Sequence, residues 1–190
     1  MAISNENKEI AKHARSVFGG QPTVVKYWDD SHASSVDILI AQDAPTSGVT
    51  SYATISLSDH SIELQVEKIP LRVEFVASIA TAYKYGPNIL ATCAFNVINS
   101  KMKCGPGQVF PRVVELYCAD SDMKHIVLAP PFIWSLKTLN FATKTVAWLF
   151  AVPISNNEYA FLRENGSDAL ERRFEEQQID IYNLNRKSIL

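Results

Sequence analysis

Apolar positions along the chain recur first with a helical period, then alternate, and then become helical again. Between Ser4 and Phe18, residues Ile10, Ala11, Ala14, Val17 and Phe18 form one stripe at helical spacing. Ser4 suits the N-cap, Glu6 sits in the first turn where the helix dipole favours an acid, and Gly19-Gly20 followed by Pro22 supplies the stop. The period then drops to two. Thr23–Trp28 is β-branched and aromatic, and Val36–Ala41 is an apolar run suited to a central strand. Asp43-Ala-Pro-Thr-Ser-Gly48 is turn chemistry. In Val49–Leu57, Val49, Ala53, Ile55 and Leu57 share one face, and Thr50, Tyr52, Thr54 and Ser56 the other. Ile62, Leu64 and Val66 alternate with Glu63, Gln65 and Glu67, and Leu71, Val73 and Phe75 alternate with Arg72 and Glu74. A turn around Lys68–Pro70 would join the last two runs as a hairpin. This alternation predicts a sheet with one buried face and one wet face.

The helical period returns at Pro87, a residue that suits the first turn of a helix. Ile89, Leu90, Cys93, Ala94, Val97 and Ile98 carry an apolar face to about Met102, and Cys104-Gly-Pro-Gly107 ends it. Arg112–Cys118, His125–Ala129 and Thr145–Val152 read as three further strands. Ser155-Asn-Asn-Glu158 has the form of a capping box opening a helix to Asn165, with Gly166 as its stop. Ser167 is placed to cap a second helix, Asp168–Gln178, that buries Leu170 and Phe174. With no repeat, low-complexity tract or linker, residues 1–190 are expected to form a single domain.

Composition narrows the class. The chain has 190 residues, 47% hydrophobic and 20% charged, enough to build a core without metal or disulfide and too apolar for disorder. The N-terminus has no apolar signal region, and the longest apolar run, Val146–Ile154, is too short to cross a membrane. Cys93, Cys104 and Cys118 are odd in number and have no close pair, so reduced thiols in the cytoplasm are expected, with neither disulfide framework nor zinc site. A net charge of −2 argues against a chain that grips nucleic acid by neutralising phosphates.

No motif for catalysis stands out. His13, His32, His60 and His125 have no metal-ligand spacing, and there is no nucleophile elbow, phosphate loop or dinucleotide fingerprint. The glycine pairs read as helix terminators. Thr50-Ser51 reads as ordinary strand sequence rather than a nucleophile. No catalytic residue, metal ligand or cofactor is therefore assigned.

Charge is distributed unevenly. From Tyr27 to Glu67, 41 residues contain no Lys or Arg but carry Asp29, Asp30, Asp37, Asp43, Asp59, Glu63 and Glu67. These acids are either independent solvated positions or partly one acidic surface that steers and docks a basic partner. Asp29, Asp30 and Asp59 fall in loops beside strands, Glu63 and Glu67 on a wet strand face, and Asp37 is expected to have a structural partner. Trp28 and Tyr52 are the aromatics that would sit beside such a surface, although each also suits a core, and Trp28 is expected there. The candidate partner-binding residues are accordingly Trp28, Asp29, Asp30, Asp59, Glu63 and Glu67.

Several segments, in order, resemble the Suppressor-of-fused-like domain family. They are Ser35-Val-Asp-Ile-Leu39, Gly48-Val-Thr-Ser-Tyr52 with Leu57-Ser-Asp59, Leu71-Arg-Val-Glu-Phe75, Trp148-Leu-Phe-Ala-Val-Pro-Ile-Ser155, then Glu158, Gly166, Leu170, Asp180 and Arg186-Lys-Ser188. Ile3-Ser-Asn-Glu-Asn-Lys8 and Lys26-Tyr-Trp-Asp-Asp30 are similar to its bacterial immunity branch. The resemblance implies an α+β fold with a central mixed, largely antiparallel sheet flanked by helices. It also implies a cytoplasmic immunity protein (antitoxin) without catalytic residues, which binds the nuclease tip of a cognate LXG-type toxin. The family's animal members are larger, and their transcription-factor partners do not carry over. The competing expectation is a non-catalytic scaffold that holds a segment of a regulatory protein, by strand addition for example.

Overall fold

The computed structural model describes residues 4–190, so Ile3 of the opening motif lies outside the described residues. Helix α1 (Asn5–Phe18) leads into strands β1 (Thr23–Trp28), β2 (Ser35–Gln42) and β3 (Val49–Thr54). A short 3-10 turn (Leu57–Asp59) precedes β4 (Leu64–Val66) and β5 (Ile69–Ala80). Helix α2 (Gly86–Ile98) follows, then β6 (Val109–Phe110), β7 (Met123–Ala129), β8 (Leu139–Asn140) and β9 (Thr145–Ser155). Helices α3 (Asn156–Asn165) and α4 (Ser167–Glu176) come last. The sheet runs β1-β2-β3-β5-β9-β7-β6, with β4 beside the start of β5 and β8 beside β9. Its pairs are antiparallel except β5 with β9, which are parallel. That pair needs a long crossover, and the segment carrying α2, β6, β7 and β8 provides it. The fold is α+β, with a mixed, largely antiparallel sheet flanked by helices.

Helix ends follow local chemistry. Ser4 Oγ accepts from the Asn7 N–H at 3.0 Å, and Gly19 closes α1 at φ 75° by donating to Arg15 O. The capping box at α3 is complete: Glu158 N–H donates to Ser155 Oγ at 3.1 Å, and Ser155 N–H donates to Glu158 at 2.9 Å. Ser167, by contrast, makes no cap, because Gly166 occupies that position ahead of α4. The Glu158 carboxylate also takes both Arg186 guanidinium nitrogens, at 2.6 and 2.8 Å. This buried pair locks the C-terminal strap across the molecule, with Leu184 fully buried and Tyr182 O accepting from Ala80 N–H.

The centre of the sheet corrects the expectation of a wet face. Val36, Ile38, Val73, Phe75 and Ile79 pack under α2, whereas Leu39, Ala53, Val76, Trp148 and Phe150 pack on the opposite face with Ile10 and Ala14 of α1 and Leu170 of α4. Both faces are therefore covered, and all six residues of β3 are buried. Arg112–Cys118 is not a strand. Arg112 has φ 60°, Val113 and Val114 are both buried, and the segment closes on itself in turns with Tyr117 and Cys118 N–H groups donating to Val114 O. The hairpin turn falls one residue earlier than predicted, at Glu67–Lys68, and only Leu64–Val66 of the preceding run pairs as strand.

Covering the second face buries Glu74 completely. Its carboxylate accepts from Thr54 Oγ1 at 2.5 Å, Ser58 N–H at 3.0 Å and Leu57 N–H at 3.2 Å, which fixes the 3-10 turn against β5. Burial pushes the carboxyl up from 4.5 to about 7, outweighing those bonds, which act to lower it. Between these two values the folded chain keeps a proton that the unfolded chain has released, so this group's contribution to stability falls as pH rises through the window. In urea unfolding followed between pH 4.5 and pH 7, the unfolding free energy of the native chain relative to Glu74→Gln should fall by up to roughly 3 kcal/mol. A constant difference across that range would contradict this burial account.

Candidate partner-binding surface

The apolar face of α2 is used up in the core, and nine of its thirteen residues are buried. Its remaining stripe carries Asn88, Thr92, Phe95, Asn96 and, one residue past the helix, Asn99. Asn99 ties this stripe to the β1–β2 loop. Its Nδ2 donates to Asp29 at 3.0 Å, and its Oδ1 accepts from Ser34 Oγ at 2.7 Å. Asp29 also organises its own loop, accepting from the Ala33 and Ser34 N–H groups at 2.8 and 3.2 Å and from Ser31 Oγ at 3.1 Å. The backbone bond from Ser34, then those from Ala33, Ser31 and Asn99, hold its carboxyl below the usual carboxylate range against partial desolvation. An open groove of about 420 Å³ lies between this loop and α2. Trp28, Asp29 and Asp30 form one wall, the amide stripe forms the floor, and Leu116 and Tyr117 form the far rim.

Trp28 is not a core residue. It is 52% exposed because β1 is the sheet's edge strand, and its ring stacks on His32 with centroids 6.1 Å apart. Tyr52 is the buried aromatic of the two, with its ring so close to Gly86 that a Cβ there would meet it at 2.6 Å. Burial pushes the Tyr52 phenol up to about 12.

The other three candidate acids, Asp59, Glu63 and Glu67, lie elsewhere, as does Asp37, which is not among the candidates. Glu63 borders a second groove of about 460 Å³ on the other side of the α2 C-terminal end, facing Val97, Lys101, Met102 and Lys103. Glu67 sits on the tip of the β4–β5 hairpin, where Glu67 and Lys68 both adopt positive φ, and Leu64, Val66 and Ile69 of this hairpin are exposed. Asp59 accepts from Lys144 Nζ at 3.0 Å and Asn7 Nδ2 at 2.7 Å, against the α1 side. Asp37 is paired with Lys26 at 2.7 Å. The structure thus brings Trp28, Asp29 and Asp30 together and does not gather all six candidates on one face. The base-free stretch obtains its counter-charges from Lys26 before it and Lys144 far beyond it.

Among the described residues no group of three or more His, Cys, Asp or Glu side chains is placed to hold a metal ion. Ser51 Oγ is fully buried and bonded at 2.6 Å to both Ala44 O and Ser78 Oγ, so it has no route to solvent. His125 accepts from Arg112 N–H and contacts Asn156, which makes it a structural residue. All three cysteines are unpaired, and burial raises the Cys93, Cys104 and Cys118 thiols, away from the reactive thiolate form. Sequence reasoning missed the amide stripe of α2, Leu116 and Tyr117. The stripe has a sequence signal, since Asn88, Thr92, Asn96 and Asn99 fall at spacings of four, four and three between the apolar positions of the helix.

Comparison with known proteins adds four findings. The family model described as Suppressor of fused protein matches residues 32–187. Immunity protein YqcF of Bacillus subtilis is 47% identical over 192 residues, covering all of both chains. Among solved structures, a Suppressor of fused homolog from Neisseria gonorrhoeae superposes with a TM-score of 0.71 at 15% identity, over 98% of this chain and 97% of that one. Drosophila Suppressor of Fused gives 0.69 at 12% identity, over 98% of this chain and 54% of that chain.

The Asn99 link supports the groove wall. Asn99→Ala is expected to speed amide hydrogen exchange at Ala33 and Ser34 by about five- to tenfold, the value of one net hydrogen bond. The melting temperature should move by less than ~4 °C. Unchanged exchange at both amides would show that the loop holds its shape without α2.

Proposed function

The chain belongs to the Suppressor of fused family, and we propose that within it this chain is a cytoplasmic immunity protein. It binds the nuclease domain of a cognate LXG-type toxin and neutralises it by stoichiometric occupancy, with no chemistry of its own. The observation that carries this reading is the 47% identity to immunity protein YqcF across the whole of both chains. The surface supports it. A nuclease holds phosphates in a basic cleft. A groove wall with Asp29 and Asp30 and no base among its lining residues presents the opposite sign to such a cleft. Charge matching of this kind raises the association rate and orients the encounter, and buried aromatic contacts then slow dissociation. The unit that does this is the single domain spanning 1–190.

Cells induced to express the nuclease domain of an LXG-type toxin from the same genome should survive when this chain is co-expressed, and the two proteins should co-elute at 1:1. Association should slow as salt is raised. Asp30→Lys, at an exposed position, should slow it by about tenfold at low salt. Asp29 is unsuitable for this test, because reversing it also dismantles the loop it organises. Death of the cells despite full expression of both chains, with no complex recovered, would overturn the proposal.

A further inference from the structure

We propose that the groove between the β1–β2 loop and α2 is an arginine-recognising subsite, occupied by an arginine side chain on a protruding segment of the protein partner. This deepens the partner-binding reading above and rests on it. Four features of the groove point to this occupant. Its charged lining residues are Asp29 and Asp30, with no Lys or Arg among them, so it selects for a cation. Asp29 stays ionised, because its bonds from Ser34, Ala33, Ser31 and Asn99 hold its carboxyl low. Trp28 stands at the wall 52% exposed, and Leu116 stands on the opposite rim 70% exposed. Large apolar side chains left in water on both sides of a polar groove mark a surface that is covered in a complex. The Trp28 ring also carries one planar ring stacked on it already, that of His32 at an interplanar angle of 19°.

The floor decides between arginine and lysine. Asn88 and Asn96 present side-chain amides along α2, and an amide oxygen accepts two hydrogen bonds. A guanidinium offers five N–H donors in a plane, enough to meet a carboxylate and amide oxygens together while its face lies on an indole. A lysine ammonium is a point charge that satisfies the carboxylates and gains little from the flat ring or the row of acceptors. The groove also lies on the side of α2 away from Lys101 and Lys103, whose groove has mixed charge and an apolar floor. A cation is therefore directed to the Trp28 side.

The test needs no toxin. The isotopically labelled full chain is titrated with N-acetyl-arginine methylamide and, separately, with the lysine and citrulline counterparts, while the nitrogen–proton correlation spectrum is followed. The expected result is saturable shifts from the arginine compound at the Trp28 indole N–H and at the Asn88 and Asn96 side-chain amides. The lysine compound should bind about fivefold more weakly, and citrulline, which keeps the shape and loses the charge, should give no saturable response. Trp28→Ala and Asp30→Asn, both at exposed positions, should each weaken the arginine compound by about fivefold or more. Equal binding of lysine and arginine, a response to citrulline, saturation at the Lys101–Lys103 groove, indifference to both substitutions, or absence of saturable binding would each overturn the subsite. None of these results alters the survival assay, so a failed subsite and a failed immunity reading are distinguishable.

Discussion

Helix α2 is the member around which the candidate surface is arranged. Its apolar residues are sunk into one face of the sheet, so it cannot rotate or slide without exposing Ile89, Leu90, Cys93, Ala94 and Val97. Burial on that scale, at about 25 cal/mol per Å² of apolar surface, outweighs any single polar contact at the surface. Two neighbours then organise themselves against the polar side of a fixed rod. The β1–β2 loop reaches it through Asn99, and the segment around Tyr117 reaches it through the bond between Thr92 Oγ1 and Tyr117 Oη at 2.7 Å. The groove is the space these two contacts leave, which is why it is formed before any partner arrives. Pre-formed sites spend less of their binding energy on ordering.

The opposite face of the sheet is devoted to stability. There the buried charges are matched in place. Lys144 is 6% exposed and meets Glu6 and Asp59, and Glu158 meets Arg186, while the Glu74 carboxyl, which burial drives toward its neutral form, is bonded by a turn of backbone. Removing one member of the buried Glu158–Arg186 pair leaves a charge without a partner in a poor solvent, and for that reason Glu158 is not available to a binding partner. Acidity in the sequence and acidity at the surface are therefore different quantities in this chain. Asp59 and Asp37 count in the first and are cancelled in the second, whereas Asp30 counts in both.

Features set by neighbours in sequence were legible before any coordinates. The Ser155–Glu158 capping box, the Ser4 cap, the Gly19 stop and the β1, β2 and β9 strands all depend on residues a few positions apart, and they form where the pattern places them. What the pattern could not show is a second covering layer. Glu74 alternates correctly with Val73 and Phe75, and only the packing of α1 and α4 over that face makes it an interior residue. Trp28 fails for the complementary reason, since a strand's place at the edge of a sheet is set by topology and leaves no local mark. Arg112–Cys118 has strand composition, but Arg112 takes φ 60° and the segment folds into turns on Val114 O, a choice of backbone that composition does not mark. At the candidate surface, the Tyr27–Glu67 charge gap pointed to Trp28, Asp29 and Asp30. It could not show that Asp59 is paired, because its partner Lys144 lies 85 positions away.

The central claim is that the partner docks on the α2 side of the sheet, across the groove beside Trp28. Hydrogen exchange of this chain, free and in complex with the toxin's nuclease domain, tests it directly. The account predicts slowed exchange concentrated in residues 28–34 and in the stretch from Asn96 to Ser100, with the surfaces of α1, α3 and α4 unchanged. Protection confined to those three helices, with the Trp28 loop exchanging as fast in the complex as in the free chain, would contradict it.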